Sequence, residues 1–404
     1  MQSLHDAAVR ITSAAALCLV TSPVAICAQS LDTIAARTLA PGVAYHQFVD
    51  PRGPWIVSVV RMDLRRADIV LRQIRAHDSL RARERTSSMA QRTTGPGRKV
   101  LAAVNADFFD LVSGESENNQ VIDGEWWKGL KVTDSPYDTY DNVHAQFAID
   151  SAGRPSIDRF LFDGRVWAKT RMTPVITLNA IPTGTHEGAA LFTPRYGSAT
   201  PRDTTRRTVE APLAAAGVLG DTAIYVRRGA LAEASGTPIP RRGAVLSAYG
   251  ARADAVRAMA EGDTVRVLLA TLPRLARGRA PALIIGGWPR ILHDGRNVAG
   301  TSAVVEGTIS RNAEVRHPRT AVGYSRDGRV LWLLVVDGRS ARSAGMTLVE
   351  LAEQMRRLGA WEALNFDGGG STTMVIDGAI VNTPSDATGE RAVGSALLLL
   401  RTTR

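Results

Sequence analysis

Asn365-Phe366-Asp367-Gly368-Gly369-Gly370-Ser371-Thr372-Thr373 is the stretch around which the chain is organised. Three consecutive glycines leave a main chain with no side chains in the way. An aspartate stands before them and three hydroxyls after. Glycine runs of this kind occur where a ligand or another backbone comes close to main-chain N–H groups. The same residues also read as a hairpin turn, because Asp-Gly is a strong turn signal. The flanks therefore matter. Upstream, Thr347 to Leu358 is expected to be a helix with a capping box, Thr347 at the N-cap and Glu350 three residues on. Leu348, Leu351, Ala352, Met355 and Leu358 form its apolar stripe, and Gly359 closes it. Ala363 to Phe366 reads as a strand. Downstream, Thr373 to Ile376 and Ala379 to Asn382 pair around Asp377-Gly378, and Gly394 to Arg401 is a last strand.

Further out, Val330 to Val336 is an unbroken apolar strand, expected to be buried on both faces. Ala282 to Ile285 leads into Gly286-Gly287-Trp288-Pro289. Val100 to Val104 runs into Asn105-Ala106-Asp107-Phe108-Phe109-Asp110. Trp55 to Val60 and Ile69 to Ile74 read as neighbouring strands, and Ala145 to Ile149 as another. Ser79 to Thr94 reads as a polar helix ended by Gly95-Pro96-Gly97, and Gly114 to Val132 as a loop. Strands are expected at Ala223–Val226, Ala244–Ser247 and Val265–Ala270, with a short helix over Ala251–Ala260. Residues 185–280 read as a sub-lobe of one domain. Seven Asp-Gly dipeptides, at Asp123, Asp163, Asp294, Asp327, Asp337, Asp367 and Asp377, punctuate these segments. The pattern predicts an α+β fold with mixed, mostly antiparallel β-sheets and a few packed helices in a single catalytic domain over 29–404. Strand order is not readable from pattern.

The 404 residues are 45% hydrophobic, enough for a large core. Net charge is +10, and of 49 Lys and Arg only Lys99, Lys128, Lys131 and Lys169 are lysine. The basic residues are dispersed rather than clustered, which argues against a nucleic-acid partner. Arginine is nonetheless the better grip for carboxylate or phosphate. Residues 1–28 read as a secretory signal: Arg10, an apolar Ile11–Val20 stretch, and cleavage after Ala28. Cys18 and Cys27 would leave with it, so the mature chain would hold no thiol, disulfide or cysteine metal ligand. No apolar run reaches the roughly 18 residues of a membrane helix. A periplasmic or secreted protein is expected.

Polar residues gather where strands end: Asn105, Asp107 and Asp110; Arg316, His317 and Arg319; Asp367, Ser371 and Thr372; Asp386 and Arg391. A metal reading would use Asp107, Asp110, Asp367 and Asp386 with calcium or magnesium. Their spacing matches neither an EF-hand nor a zinc motif, so no metal or other cofactor is assigned. Gly370-Ser371-Thr372 lacks the Gly-x-Ser-x-Gly form of a nucleophile elbow. His317, between Arg316 and Arg319, reads as part of an anion-facing segment, or as solvated charge ahead of a strand.

Together these segments resemble the phosphodiester glycosidase family. The resemblance rests on Ala103–Phe109, His144–Phe147, Arg316–Gly323, the helix from Thr347, Asn365–Thr373, Pro384–Asp386 and Arg391–Val393, in order over about residues 43–403. Ala106-Asp107 departs from it where Gly-Gly is common, adding a carboxylate. The resemblance implies hydrolysis of a sugar-1-phosphodiester, as found in a phosphorylated glycan, at the anomeric carbon. Asp367 is then the first candidate for the catalytic carboxylate and Asp107 the second, with His317 beside them. Arg319, Arg391, His317 and the amides of Gly368, Gly369 and Gly370 would meet the phosphate, with Ser371 as a supporting donor. Asn105 and Asn119 would orient sugar hydroxyls or phosphate oxygens, and Asp386 completes the substrate-binding set. Two other readings compete: a non-catalytic module binding phosphorylated glycans, and a metal-dependent phosphodiesterase cutting the P–O bond.

Overall fold

The computed structural model describes residues 32–131, 144–182, 188–203, 205, 207–306 and 313–402. The expected leader over 1–28, with both cysteines, lies outside them. Val330–Val336 is the spine of an eight-stranded antiparallel sheet. Leu331, Leu333 and Val335 enter one core, and Trp332, Leu334 and Val336 enter another. Successive strand side chains point to opposite faces, so covering both faces requires the unbroken apolar run. The sheet runs Asp32–Ala40, Val43–Asp50, Trp55–Asp63, Val330–Val336, Arg319–Tyr324, Glu362–Asn365, Arg290–His293, Arg296–Asn297.

A five-stranded antiparallel sheet lies against it, ordered Ala379–Ile380, Met374–Ile376, Arg98–Asn105, Ser395–Thr402, Ile69–Arg75. Val60, Leu333 and Leu364 from the first sheet share a core with Val104, Met374, Leu397 and Leu399 from the second. Each outer face carries helical cover, with Ala299 of the short helix Ala299–Val305 joining the core on the larger sheet's side. Leu348–Arg357 covers the larger sheet through Leu348, Leu351, Ala352 and Met355, with both arms of the Thr347–Glu350 capping box present. Thr86–Thr93 covers the smaller sheet through Met89 and Ala90. The layers run helix, sheet, sheet, helix.

The third sheet contains a closed ring. Arg171–Leu178, Leu161–Ala168, Thr264–Leu272, Thr222–Arg227, Thr208–Leu219, Gly243–Tyr249 and Ala189–Phe192 pair in that order. A parallel pairing of Ala189–Phe192 with Arg171–Leu178 closes the circle. Every other strand pair in the three large sheets is antiparallel. The sheets are thus mixed and mostly antiparallel, as expected. The helical share is smaller than α+β suggests: the longest helix among the described residues has ten residues. The described residues from Asp32 onward gather as one compact unit.

Three local expectations need correction. Trp55–Asp63 and Ile69–Arg75 are consecutive but not neighbours, because the five residues between them carry the chain from one sheet to the other. The helix expected from Ser79 begins only at Thr86, since Glu84-Arg85 pairs with Ala392-Val393 as a short β-ladder. The stretch read as a loop at 114–132 contains a hairpin, Gln120–Ile122 with Glu125–Leu130.

Asp-Gly dipeptides fall into different geometries. Asp123-Gly124, Asp294-Gly295 and Asp377-Gly378 hold both residues at positive φ, the condition for a tight two-residue hairpin turn. Asp367-Gly368 does not: Gly368 has φ −121°, and Gly369–Ser371 forms a single 3-10 turn with Gly369 at φ +60°. The strands on either side, Glu362–Asn365 and Met374–Ile376, lie in different sheets. The stretch is therefore a crossover between sheets and not a hairpin.

Candidate active site

The crossover is stitched to strand ends on both sides. Phe366 N–H donates to Thr320 O at 2.8 Å, Asp367 N–H to Ala106 O at 2.9 Å, and Gly369 N–H to Pro318 O at 2.9 Å. Asn105, at the end of the central strand of the smaller sheet, is fully buried. Its Nδ2 donates to Asp367 O at 2.6 Å. Its Oδ1 accepts from Thr320 Oγ1 at 2.7 Å and from Thr373 N–H at 3.1 Å. Asn105 thus holds the loop in place and does not face substrate as expected. Asn119 is corrected in the same way. It is buried, donating to Phe160 O at 2.7 Å and accepting from Leu130 N–H at 2.6 Å.

Asp367 stands partly buried at the loop's start. Burial pushes its carboxyl up to about 6, and the charge on Asp107 adds to the rise. The Ser371 hydroxyl, the Arg391 charge and the Gly368 amide pull the other way. Asp107 is almost wholly buried, accepting from Asn118 Nδ2 at 2.7 Å and Gln120 Nε2 at 3.3 Å. Burial raises its carboxyl too, opposed by those two amides and then by the buried cations Arg75 and Lys128. Two carboxylates in mutual electrostatic reach, each held in a different environment, are the usual ground for distinct acid–base roles.

On the other side, Arg391 makes a two-pronged ion pair with Asp386, Nε–Oδ2 2.7 Å and Nη2–Oδ1 3.0 Å, and its Nη1 lies 3.5 Å from Ser371 Oγ. Such paired contacts fix the guanidinium plane. The glycines explain how these groups come so close. A Cβ on Gly370 would stand 2.0 Å from Asp386 Oδ1 and 2.1 Å from Arg391 Nη2; one on Gly368 would stand 2.7 Å from Pro318 O. The expected surface of free amides is smaller than the sequence suggested, because the Gly369 N–H is taken by Pro318 O and the Gly368 N–H by the Asp367 carboxylate.

Arg319 is mostly buried, with Nε on Met346 O at 2.8 Å and Nη2 on Val315 O at 2.9 Å. Burial and the neighbouring Arg339 pull its guanidinium down to about 10. Its side chain braces main-chain carbonyls, so the expected phosphate grip does not rest on it. His317 is partly exposed at the rim, with Nδ1 3.3 Å from Arg339 Nη2. Burial, Arg319 and Arg339 all lower its pKa, which favours the neutral ring.

Several neighbours escaped the sequence reading. Gly286 lies against Asp107, where a Cβ would be 2.2 Å from Oδ1. Trp288 packs edge-on to Phe108 at 5.7 Å and stacks on His144 at 4.6 Å. Its main-chain N–H bonds Asn365 O at 2.8 Å. The buried Glu306 accepts from Ala145 and Arg290 N–H groups at 2.8 and 3.0 Å. The signal for the first two was present: Gly286-Gly287-Trp288-Pro289 ends an apolar strand, as Asn105–Asp107 does. Arg339 was hidden inside an Asp-Gly segment read only as a turn. One other group, His293, Asp294 and Glu362, has ligand-type atoms within 4.8 Å of one another. Arg290 lies against it, with Nη1 3.1 Å from His293 Nδ1 and Nε 3.6 Å from Glu362 Oε2, and Trp361 Nε1 donates to Asp294 Oδ1 at 3.3 Å. Among the described residues no helix is long and apolar enough to cross a membrane.

Residues 214–400 match the phosphodiester glycosidase family, so the resemblance carried by the motifs holds over this stretch, which includes the crossover loop, Asp386 and Arg391. A curated relative, mouse N-acetylglucosamine-1-phosphodiester alpha-N-acetylglucosaminidase, is 40% identical over 80 residues, covering 20% of this chain and 15% of the mouse protein. The chain thus matches only a small part of that relative's length. A Synechocystis protein of solved structure superposes with a TM-score of 0.71 at 22% identity, covering 93% of this chain and 64% of that one. A Burkholderia pseudomallei protein gives 0.65 at 25% identity, covering 86% and 74%. The two solved structures share the fold.

Proposed function

We propose that the chain is a glycosidase that hydrolyses a sugar-1-phosphodiester at the anomeric carbon, releasing free sugar and a phosphomonoester. One observation carries this reading: Asp367 stands within electrostatic reach of Arg391, at the start of a loop without side chains. Water oxygen bonds to the anomeric carbon as the bond from that carbon to the phosphate oxygen breaks. The bonding pair leaves with the phosphate, and the Asp367 carboxylate takes up the water proton. A phosphomonoester leaves well without a strong general acid, so fixed cations do more than a proton donor would. Asp386 holds Arg391 ready for the charge that grows on the phosphate. Asp107, behind the loop, supplies negative potential that keeps the Asp367 carboxyl basic enough to accept a proton near neutral pH. The signal-like residues 1–28 support action outside the cytoplasm, on cell-wall or extracellular polysaccharide.

Turnover of a sugar-1-phosphodiester in ¹⁸O-labelled water tests the reading. Label in the released sugar is expected. Label in the phosphate would mean P–O cleavage, and binding without turnover would mean a glycan-binding module.

A further inference from the structure

Arg339 occupies an unusual position. It follows Asp337-Gly338 just past the end of the Val330–Val336 strand and holds φ +59°, a left-handed conformation that non-glycine residues seldom adopt. Gly338 is pinned there, since a Cβ on it would be 2.7 Å from Pro318 N and 2.9 Å from Gly345 Cα. The side chain is exposed and reaches over the glycine loop, with Nη2 3.0 Å from where a Cβ of Gly369 would be. Its Nη1 lies 3.5 Å from Ser385 Oγ and its Nη2 3.3 Å from His317 Nδ1. Among the described residues no carboxylate stands within ion-pair distance of it. Its neighbours are treated otherwise: Arg316 is paired with Glu350, and Arg391 with Asp386. Arg339 and Arg319 instead crowd positive charge around His317: both disfavour its charged form, and Arg339 also disfavours that of Arg319. Such crowding is relieved by an anion placed among the groups.

We propose that Arg339 is a phosphate-binding residue of this site, holding the phosphate group over Gly369 and Gly370 from the side opposite Arg391. This rests on the glycosidase reading for the identity of the full substrate, but not for the anion. The two guanidiniums flank consecutive glycines, Arg339 beside Gly369 and Arg391 beside Gly370. With no side chain on Gly369, a tetrahedral anion beside it can meet Arg339 and the guanidinium of Arg391, which Asp386 holds against Gly370. The left-handed backbone at Arg339 is the strain accepted to aim one of them. It follows that the released phosphomonoester, and inorganic phosphate itself, compete with substrate.

Titration of the full chain with inorganic phosphate, followed calorimetrically, provides the test. Arg339→Gly is the informative variant, because glycine suits φ +59° and removes the cation without straining the loop. Phosphate affinity is expected to fall about tenfold or more in Arg339→Gly, with the melting temperature held or raised, and to be partly restored in Arg339→Lys. Asp367→Asn should still bind phosphate. Unchanged phosphate affinity in Arg339→Gly, or no phosphate binding by the unaltered chain, overturns the proposal. The two readings separate cleanly. Phosphate binding lost in Arg339→Gly without any sugar-1-phosphodiester turnover by the unaltered chain supports this seat and defeats the glycosidase reading. Turnover with phosphate inhibition unaltered in Arg339→Gly defeats this one alone.

Discussion

Asn105 Nδ2 donates to the main-chain oxygen of Asp367 at 2.6 Å, and this single bond joins the central strand of one sheet to the loop leaving the other. With the two bonds its Oδ1 accepts, the side chain serves three partners, two in the crossover loop and one in the Arg319–Tyr324 strand. Replacing Asn105 with Ala strands a buried hydroxyl, an amide and a carbonyl, each lacking water to turn to. The loss of stability should be about 3 kcal/mol or more, read as a lower denaturation midpoint in urea. An Asn105→Ala chain as stable as the unaltered one would show that the loop is held by something else.

Asp367 has its carboxyl raised to about 6, chiefly by burial. Activity that needs the ionised form should rise through pH 6 and level off above it. The effect on stability has the opposite sense. A carboxyl whose folded pKa exceeds its unfolded value favours folding most when protonated, and that contribution disappears as pH rises through about 6. Asp367→Asn should therefore abolish turnover yet melt higher than the parent at pH 8, with little difference near pH 4. Retention of full activity in Asp367→Asn would remove the catalytic assignment.

Gly370→Ala should separate folding from function. Gly370 needs no positive φ, so alanine suits the backbone, but its Cβ would displace the Asp386 carboxylate and the Arg391 guanidinium. Both are ends of flexible side chains. The melting temperature should change little, while kcat/KM falls by roughly tenfold or more as the cation leaves its place. Equal activity would mean that Arg391 need not be held there.

Asp386→Ala tests the same pair from the other end. The pair is partly exposed, so its net effect on stability is expected to be under about 1 kcal/mol. Freed from Asp386, Arg391 samples more rotamers, and KM should rise more than kcat falls. A large loss of stability would recast the pair as structural.

The segments nearest the site were the most legible in the sequence. The capping box at Thr347, the apolar run at Val330 and the Asp377-Gly378 hairpin are local signals, and local physics determines them. The barrel was not legible, because alternation in Leu161–Ala168 or Thr264–Leu272 says which face is buried but not which strand lies alongside. The same limit made Trp55–Asp63 and Ile69–Arg75 look like partners. Within the site, Asp367, Arg391 and Asp386 come together as the motif suggested. Asn105, Asn119 and Arg319 could not be told apart from ligand-facing residues, since a polar side chain at a strand end looks alike whether its partner is a substrate or a carbonyl.

The Arg98–Asn105 strand, finally, has both its ladder partners at the far end of the chain, in Met374–Ile376 and Ser395–Thr402. During synthesis it emerges early and waits, apolar and unpaired on both edges, until almost the whole polypeptide has been made. Pairings so distant in sequence form slowly, and exposed edges invite association with other chains. The riskiest interval for aggregation thus ends only when the last strand docks. Nascent chains arrested before residue 374 should be the species that chaperones hold longest.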